Sequence, residues 1–178
     1  MIKALELIQK AHLQIKLKKC EFFKKEIKFL GHKISRKGIQ TDEDKVKAMK
    51  EIVPPTDVKG VQSMMGLFNY YRTFVPNFST IARLIYTLIK QDQEFHWGPE
   101  QDQALETLKQ KMTEAPILIH PDFEASFLLY TNASYIGFGY ILAQERSGIE
   151  YPVAYESKRT LPAERNYSVT DLEGATLV

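Results

Sequence analysis

Residues 128–144 read LLYTNASYIGFGYILAQ, two apolar runs separated by a short turn, the pattern of paired strands. The reading of Asn132, at the end of the first run, decides most of what the chain can do. Asn132-Ala133-Ser134 satisfies the N-glycosylation pattern, yet the end of such a strand is also where many enzymes place a metal-binding carboxylate. A third possibility is an ordinary turn.

Cysteine usage and hydropathy bear on the sugar reading first. The single cysteine, Cys20, permits no internal disulfide and points to a reducing, intracellular compartment. No run approaches the roughly 18 to 20 apolar residues that span a bilayer. The N-terminal MIKALELIQKAHLQIKLKK interrupts its apolar positions with Lys and Glu, where a signal peptide needs an unbroken apolar core. Without export, the Asn-x-Ser matches at Asn77, Asn132 and Asn166 are incidental. Charge is unevenly spread: residues 1–50 hold fourteen Lys/Arg against six Asp/Glu, and residues 51–178 hold ten against sixteen. The basic first third is a surface for phosphate contact or a solvated lysine-rich face.

Outward from the opening stretch, Tyr151 to Tyr155 supplies a third strand and Glu164 to Val178 begins a helix, with Ala175, Leu177 and Val178 still apolar. Such a thin layer is expected to be a truncated domain. Upstream, residues 41–115 take helical periodicity. Thr41 and Thr56 are the expected caps of helices ending near Pro54 and Phe74, Thr80 to Lys90 forms another, and Pro99 opens a fourth that runs to about Thr113. Residues 2–12 suggest a short amphipathic helix, and Leu13, Ile15 and Leu17 alternate as a strand would. Phe22-Phe23 and Ile27 to Ile34 suggest two strands joined through Lys24-Lys25-Glu26, a hairpin with a basic rim.

Two constellations could carry chemistry. In VKGVQSMMGLFNYYRTF, residues 58–74, Gln62, Gly66 and Tyr70 recur every four residues on one helix face, beside an apolar stripe of Val61, Met65 and Phe68. A glycine inside a helix costs about 1 kcal/mol relative to alanine, so close approach by another helix or by a ligand is expected there. Gln and Tyr can read or stack on nucleotides, but packing explains the same pattern, and on the residues alone packing is favoured. The second constellation is Asn132, followed by Gly137 and Gly139, with Asp171 and Glu173 on the last helix. Two-metal phosphodiester hydrolysis needs several converging carboxylates. One neutral amide and a carboxylate pair at a helix start make a weak set, the pair equally suiting the helix dipole. His12, His32, His96 and His120 share no ligand spacing, and no Gly-rich phosphate loop or Ser/His/Asp order is present.

Five ordered blocks go further: KKCEFFKKEIKFLGHKIS, NYYRTFVPNFS, FHWGPEQDQALETLKQKMTEAPIL, LLYTNASYIGFGYILAQ and PVAYESKRTLPAERNYSVTDLEGATLV. In order and spacing they resemble the polymerase polyprotein of gypsy-type long-terminal-repeat retrotransposons. That resemblance implies an α+β chain. Residues 1–40 would be the end of a reverse-transcriptase palm, with Phe29, Leu30, Gly31 and His32 in the hairpin that grips the primer. Residues 41–92 would be the helical thumb, and residues 95–178 a partial RNase H-like α/β domain. It implies a template-primer duplex, RNA/DNA or DNA, as partner, with Gln62, Gly66 and Tyr70 tracking its minor groove, which reverses the preference for packing. It also implies Mg²⁺ as cofactor, with Glu173 as a retained metal carboxylate.

The departures from that family matter as much. Its Tyr-x-Asp-Asp motif is absent, so nucleotide addition is not expected. Its first RNase H strand ends in Thr-Asp-Ala-Ser where this chain has Thr131-Asn132-Ala133-Ser134, so Asn132 replaces a metal ligand and ribonuclease activity is not expected either. Its fourth strand would lie beside the first, which leaves residues 126–131 an open edge able to pair with another chain.

Overall fold

Leu30 and Gly31 have φ of 49° and 77°, the paired positive values that a two-residue hairpin turn demands. They join β1 (Glu26–Phe29) to β2 (His32–Ser35), and β3 (Gly38–Thr41) completes an antiparallel sheet in the computed structural model, which describes residues 2–90 and 94–177. The expected turn at Lys24-Lys25-Glu26 is therefore corrected to Leu30-Gly31, where glycine makes the second positive φ free of strain. Neither Leu13–Leu17 nor Phe22-Phe23 forms a strand. Ahead of the sheet, α1 (Ile2–Lys10) buries none of its residues.

Four helices come next: α2 (Glu43–Lys50), α3 (Val58–Tyr70), α4 (Phe78–Thr87) and α5 (Pro99–Thr113). The first two are capped one residue later than expected. Asp42 accepts from the Asp44 N–H at 3.1 Å, and Asp57 Oδ1 accepts from the Gly60 N–H at 2.6 Å. A carboxylate adds charge complementarity to the helix N-terminus that a threonine hydroxyl lacks. The Thr41 hydroxyl is instead buried with no hydrogen-bond partner among the described residues. The helices close around Met49, Phe68, Ile85, Leu108 and Met112, all essentially inaccessible to water. One core thus runs from α2 into α5, across the expected division between residues 41–92 and residues 95–178, and residues 91–93 lie outside the described residues.

The second sheet is β4 (Leu128–Ala133), β5 (Gly137–Arg146) and β6 (Ile149–Arg159), antiparallel in that order. Ser147 and Gly148, with φ of 54° and 78°, make another two-residue turn, so β6 starts earlier and runs longer than the expected Tyr151–Tyr155. The expected continuous helix from Glu164 is broken. A 3-10 turn at Glu164–Asn166 precedes α6 (Val169–Ala175), whose cap Ser168 accepts from the Asp171 N–H at 3.2 Å. Helix α6 packs beside β4.

Short polar contacts join these units. Ile39 and Leu118 exchange backbone hydrogen bonds at 2.7 and 2.9 Å, and the Ile119 N–H donates to the Pro152 carbonyl at 2.9 Å, so one strand of chain touches both sheets. The start of α4 sits on β5 and β6, where the Ser79 N–H donates to Ser157 Oγ at 2.8 Å. A Cβ at Gly139 would collide with the Asn77 carboxamide, and one at Gly137 would lie 2.8 Å from the Lys158 carbonyl. Both glycines of the opening stretch are there for close packing.

The first sheet is tied to α2 by charge. Lys28 Nζ lies 2.8 Å from Asp42 Oδ1 and 2.6 Å from Asp44 Oδ2, and Lys33 bridges Glu26 and Glu43 at 3.2 and 3.3 Å. The expected basic rim is to that extent neutralised. The hydrogen bond from Lys28 holds the Asp42 carboxyl below the ordinary carboxylate range.

Two outcomes are expected. Leu108→Ala should cost about 2 to 5 kcal/mol, and because the core is shared, Trp97 fluorescence and helical circular dichroism should lose stability together in denaturant. Separate transitions would show that α5 folds apart from α2–α4. A depressed Asp42 pKa stabilises the fold above its unfolded value of about 3.9 and ceases to as pH falls through the folded value. In an NMR titration, Lys28→Gln should therefore raise the Asp42 midpoint and flatten the acid-side loss of stability. An unmoved midpoint would assign the depression to the helix cap alone.

Candidate nucleic-acid interface

The amphipathic pattern of α3 sets its two faces. Val61, Met64, Met65 and Phe68 turn into the core, while Gln62, Gly66 and Tyr70 line one exposed stripe. At 1.5 Å rise per residue the stripe is about 12 Å long. A Cβ built at Gly66 meets nothing within 4 Å. Among the described residues no neighbouring helix comes against this glycine.

The hairpin turn is anchored to the C-terminal end of the same helix. Tyr70 OH donates to the Leu30 carbonyl at 2.7 Å, and Tyr71 OH donates to the Gly31 carbonyl at 3.0 Å. The two rings meet edge to face, with centroids 4.8 Å apart. The His32 ring lies 5.4 Å from Tyr70 and 5.3 Å from Tyr71, and stacks on Phe74 at 5.7 Å. Burial pushes the Tyr71 hydroxyl pKa up, so it stays a protonated donor. Gly31 is required twice over, by its positive φ and because a Cβ would collide with the Tyr71 hydroxyl.

This clamp leaves the turn outward. Phe29 is 57% exposed, Leu30 70% and Tyr70 51%. The structure thus brings Phe29, Leu30, Gly31, His32 and Tyr70 together, with Gly66 and Gln62 one and two turns further along α3. Tyr70 has two duties, since its hydroxyl fixes the turn while part of its ring faces solvent. Tyr71 and Phe74 were missed by sequence reasoning, although the doubled tyrosine at a helix end was a signal that one ring faces inward.

The second constellation is looser. Asn132 lies inside β4, opposite Gly139, and Glu173 lies on α6; both are exposed. Asp171 Oδ2 accepts from Ser168 Oγ at 2.7 Å and belongs to the helix cap. Among the described residues, no three His, Cys, Asp or Glu side chains are grouped to hold a metal ion. A neutral amide and a single carboxylate do not fit Mg²⁺, which binds through hard, preferably anionic oxygens. Among the described residues no helix is long and apolar enough to cross a membrane.

Comparison with known proteins bears on the chain as a whole. The model of an RNase H-like domain found in reverse transcriptase matches residues 97–178. The transposon Tf2-3 and Tf2-4 polyproteins of Schizosaccharomyces pombe are each 34% identical over 175 residues, which is 98% of this chain and 13% of theirs. The chain therefore spans about an eighth of the length of these relatives. Among solved structures, a foamy viral protease-reverse transcriptase in complex with double-stranded DNA superposes with a TM-score of 0.83 at 28% identity, over 98% of this chain and 37% of that one. The same kind of enzyme in complex with an RNA/DNA hybrid gives 0.81 at 28% identity, over 99% and 25%. Residues 97–178 thus match an RNase H-like domain found in reverse transcriptase, and the chain as a whole is similar to a stretch of retrotransposon polyproteins and to part of viral reverse transcriptases.

Proposed function

We propose that this chain binds a template-primer duplex, RNA/DNA or DNA, through the exposed stripe of α3 and the Leu30-Gly31 turn, and that it catalyses neither nucleotide addition nor RNA hydrolysis. In this reading residues 1–40 are the end of a palm, residues 41–92 a thumb, and residues 95–178 an RNase H-like domain short of metal ligands. The parent activities, RNA-directed DNA synthesis and hydrolysis of RNA in hybrids, are those of a longer protein.

The carrying observation is the open space over Gly66. A mid-helix glycine sacrifices about 1 kcal/mol of helix stability, and among the described residues nothing uses the room it leaves. A nucleic-acid backbone or groove edge could come against the helix there, with the Gln62 amide able to reach minor-groove acceptors and Tyr70 able to lie on a sugar. That related reverse transcriptases have been seen with double-stranded DNA and with RNA/DNA hybrid supports the same class of partner.

The test separates stability from binding. Gly66→Ala should raise stability by about 0.4 to 1 kcal/mol in denaturant yet weaken binding of a 20-base-pair duplex by roughly tenfold, since one misplaced methyl group costs about 1 to 3 kcal/mol at a close-packed surface. A variant that is more stable and binds equally well would remove Gly66 from the interface. For chemistry, incubation of a labelled RNA/DNA hybrid with Mg²⁺ or Mn²⁺ should give no cleavage above background. Cleavage that a chelator abolishes would overturn the inactive reading.

A further inference from the structure

A cleft of about 240 Å³ opens where the C-terminal half of α4 meets the second sheet. Arg83 and Thr87 reach it from α4, Tyr135 from the β4–β5 turn, Arg159 from the end of β6 and Arg165 from the 3-10 turn before α6, with Lys90 at the rim. Among the described residues no acidic side chain lines it, although residues 51–178 carry an acidic excess. Among the described residues, Arg83, Arg159 and Arg165 have no carboxylate within 4.0 Å. Lys90 lies just past the end of α4, where a cation complements the helix dipole, and is set aside.

Three arginines gathered around one cleft from three separate elements repel one another unless an anion lies among them. Arginine suits a tetrahedral oxyanion because its planar fork can donate two parallel hydrogen bonds. Thr87 is committed, since its hydroxyl donates to the Leu84 carbonyl at 2.5 Å. Tyr135, 52% exposed at the mouth, offers a ring face on which a sugar or base can rest. The cleft shares no residue with the α3 stripe or the hairpin turn.

We infer that Arg83, Arg159 and Arg165 form a second nucleic-acid contact, a pocket for one or two backbone phosphates, that anchors the strand without reading its sequence. This rests on the duplex-binding function proposed for α3, so the experiment keeps the two apart. The intact chain and the triple variant Arg83→Gln, Arg159→Gln, Arg165→Gln are titrated with a 20-base-pair duplex over a series of NaCl concentrations. Each phosphate neutralised contributes about 0.9 to the slope of log affinity against log salt. The triple variant should lose roughly one to two from that slope, while Gly66→Ala weakens binding at an unchanged slope. A triple Arg→Lys variant, which keeps the charge, should retain the slope and shows that repacking is not the cause.

Equal slopes for the intact chain and the glutamine variant would overturn the pocket while leaving the α3 interface standing. If the intact chain binds no duplex, the α3 reading fails, and inorganic phosphate then judges the cleft. Saturable shifts of the Arg83, Arg159 and Arg165 Nε–Hε signals in an NMR titration would keep it as a phosphate site, and unmoved signals would eliminate it.

Discussion

The two sheets are held to one frame by Leu118 and Ile119. Leu118 trades backbone hydrogen bonds with Ile39 at the edge of the first sheet, and Ile119 donates to Pro152 in the second. A Cβ at Gly38 would run into the Leu118 carbonyl, so the approach depends on glycine. Backbone groups in such a bridge must be paired or stay wet, which makes this connector directional in a way that side-chain packing is not. With it in place, α5 is drawn back against α2–α4, and the start of α4 can rest on β5 and β6. The Arg72–Glu156 ion pair, at 3.5 Å and half exposed, adds orientation more than energy.

That frame positions the proposed interface. The hairpin turn would be a mobile two-residue tip if only β1 and β2 held it. Two adjacent tyrosines prevent this by giving a hydroxyl to each of two consecutive carbonyls, while their rings fix His32. Such a neutral hydrogen bond contributes about 1 kcal/mol net, and the pair acts together because both residues sit at one helix end. The exposed apolar groups, Phe29 and Leu30, are thus presented from a backbone that is already ordered.

Much of this was legible in the sequence, and the misses have local causes. Element type was readable wherever the period was strong: α3, α5, β4 and β5 lie close to their expected limits. The hairpin turn was misplaced because a run of lysines looked like a loop, while Leu30-Gly31 sat inside an apolar run and hid its positive φ. Caps slipped by one residue because Thr-Asp offers two candidates, and the choice depends on backbone angles that composition does not encode. The stripe of Gln62, Gly66 and Tyr70 was visible as periodicity, but whether Gly66 faced a helix or open space was not. The basic cleft was invisible, since Arg83, Arg159 and Arg165 are far apart in the chain and each looks like an ordinary surface cation.

Gly66 has a consequence for anyone who would redesign this chain. A procedure that scores the protein alone would put alanine there first, because an open, helical glycine is the cheapest improvement the fold offers. Such a redesign would give a hardier molecule whose silhouette had changed at a place where the helix backbone lies bare. The position marks where optimising an isolated fold and preserving its outline cease to be the same task.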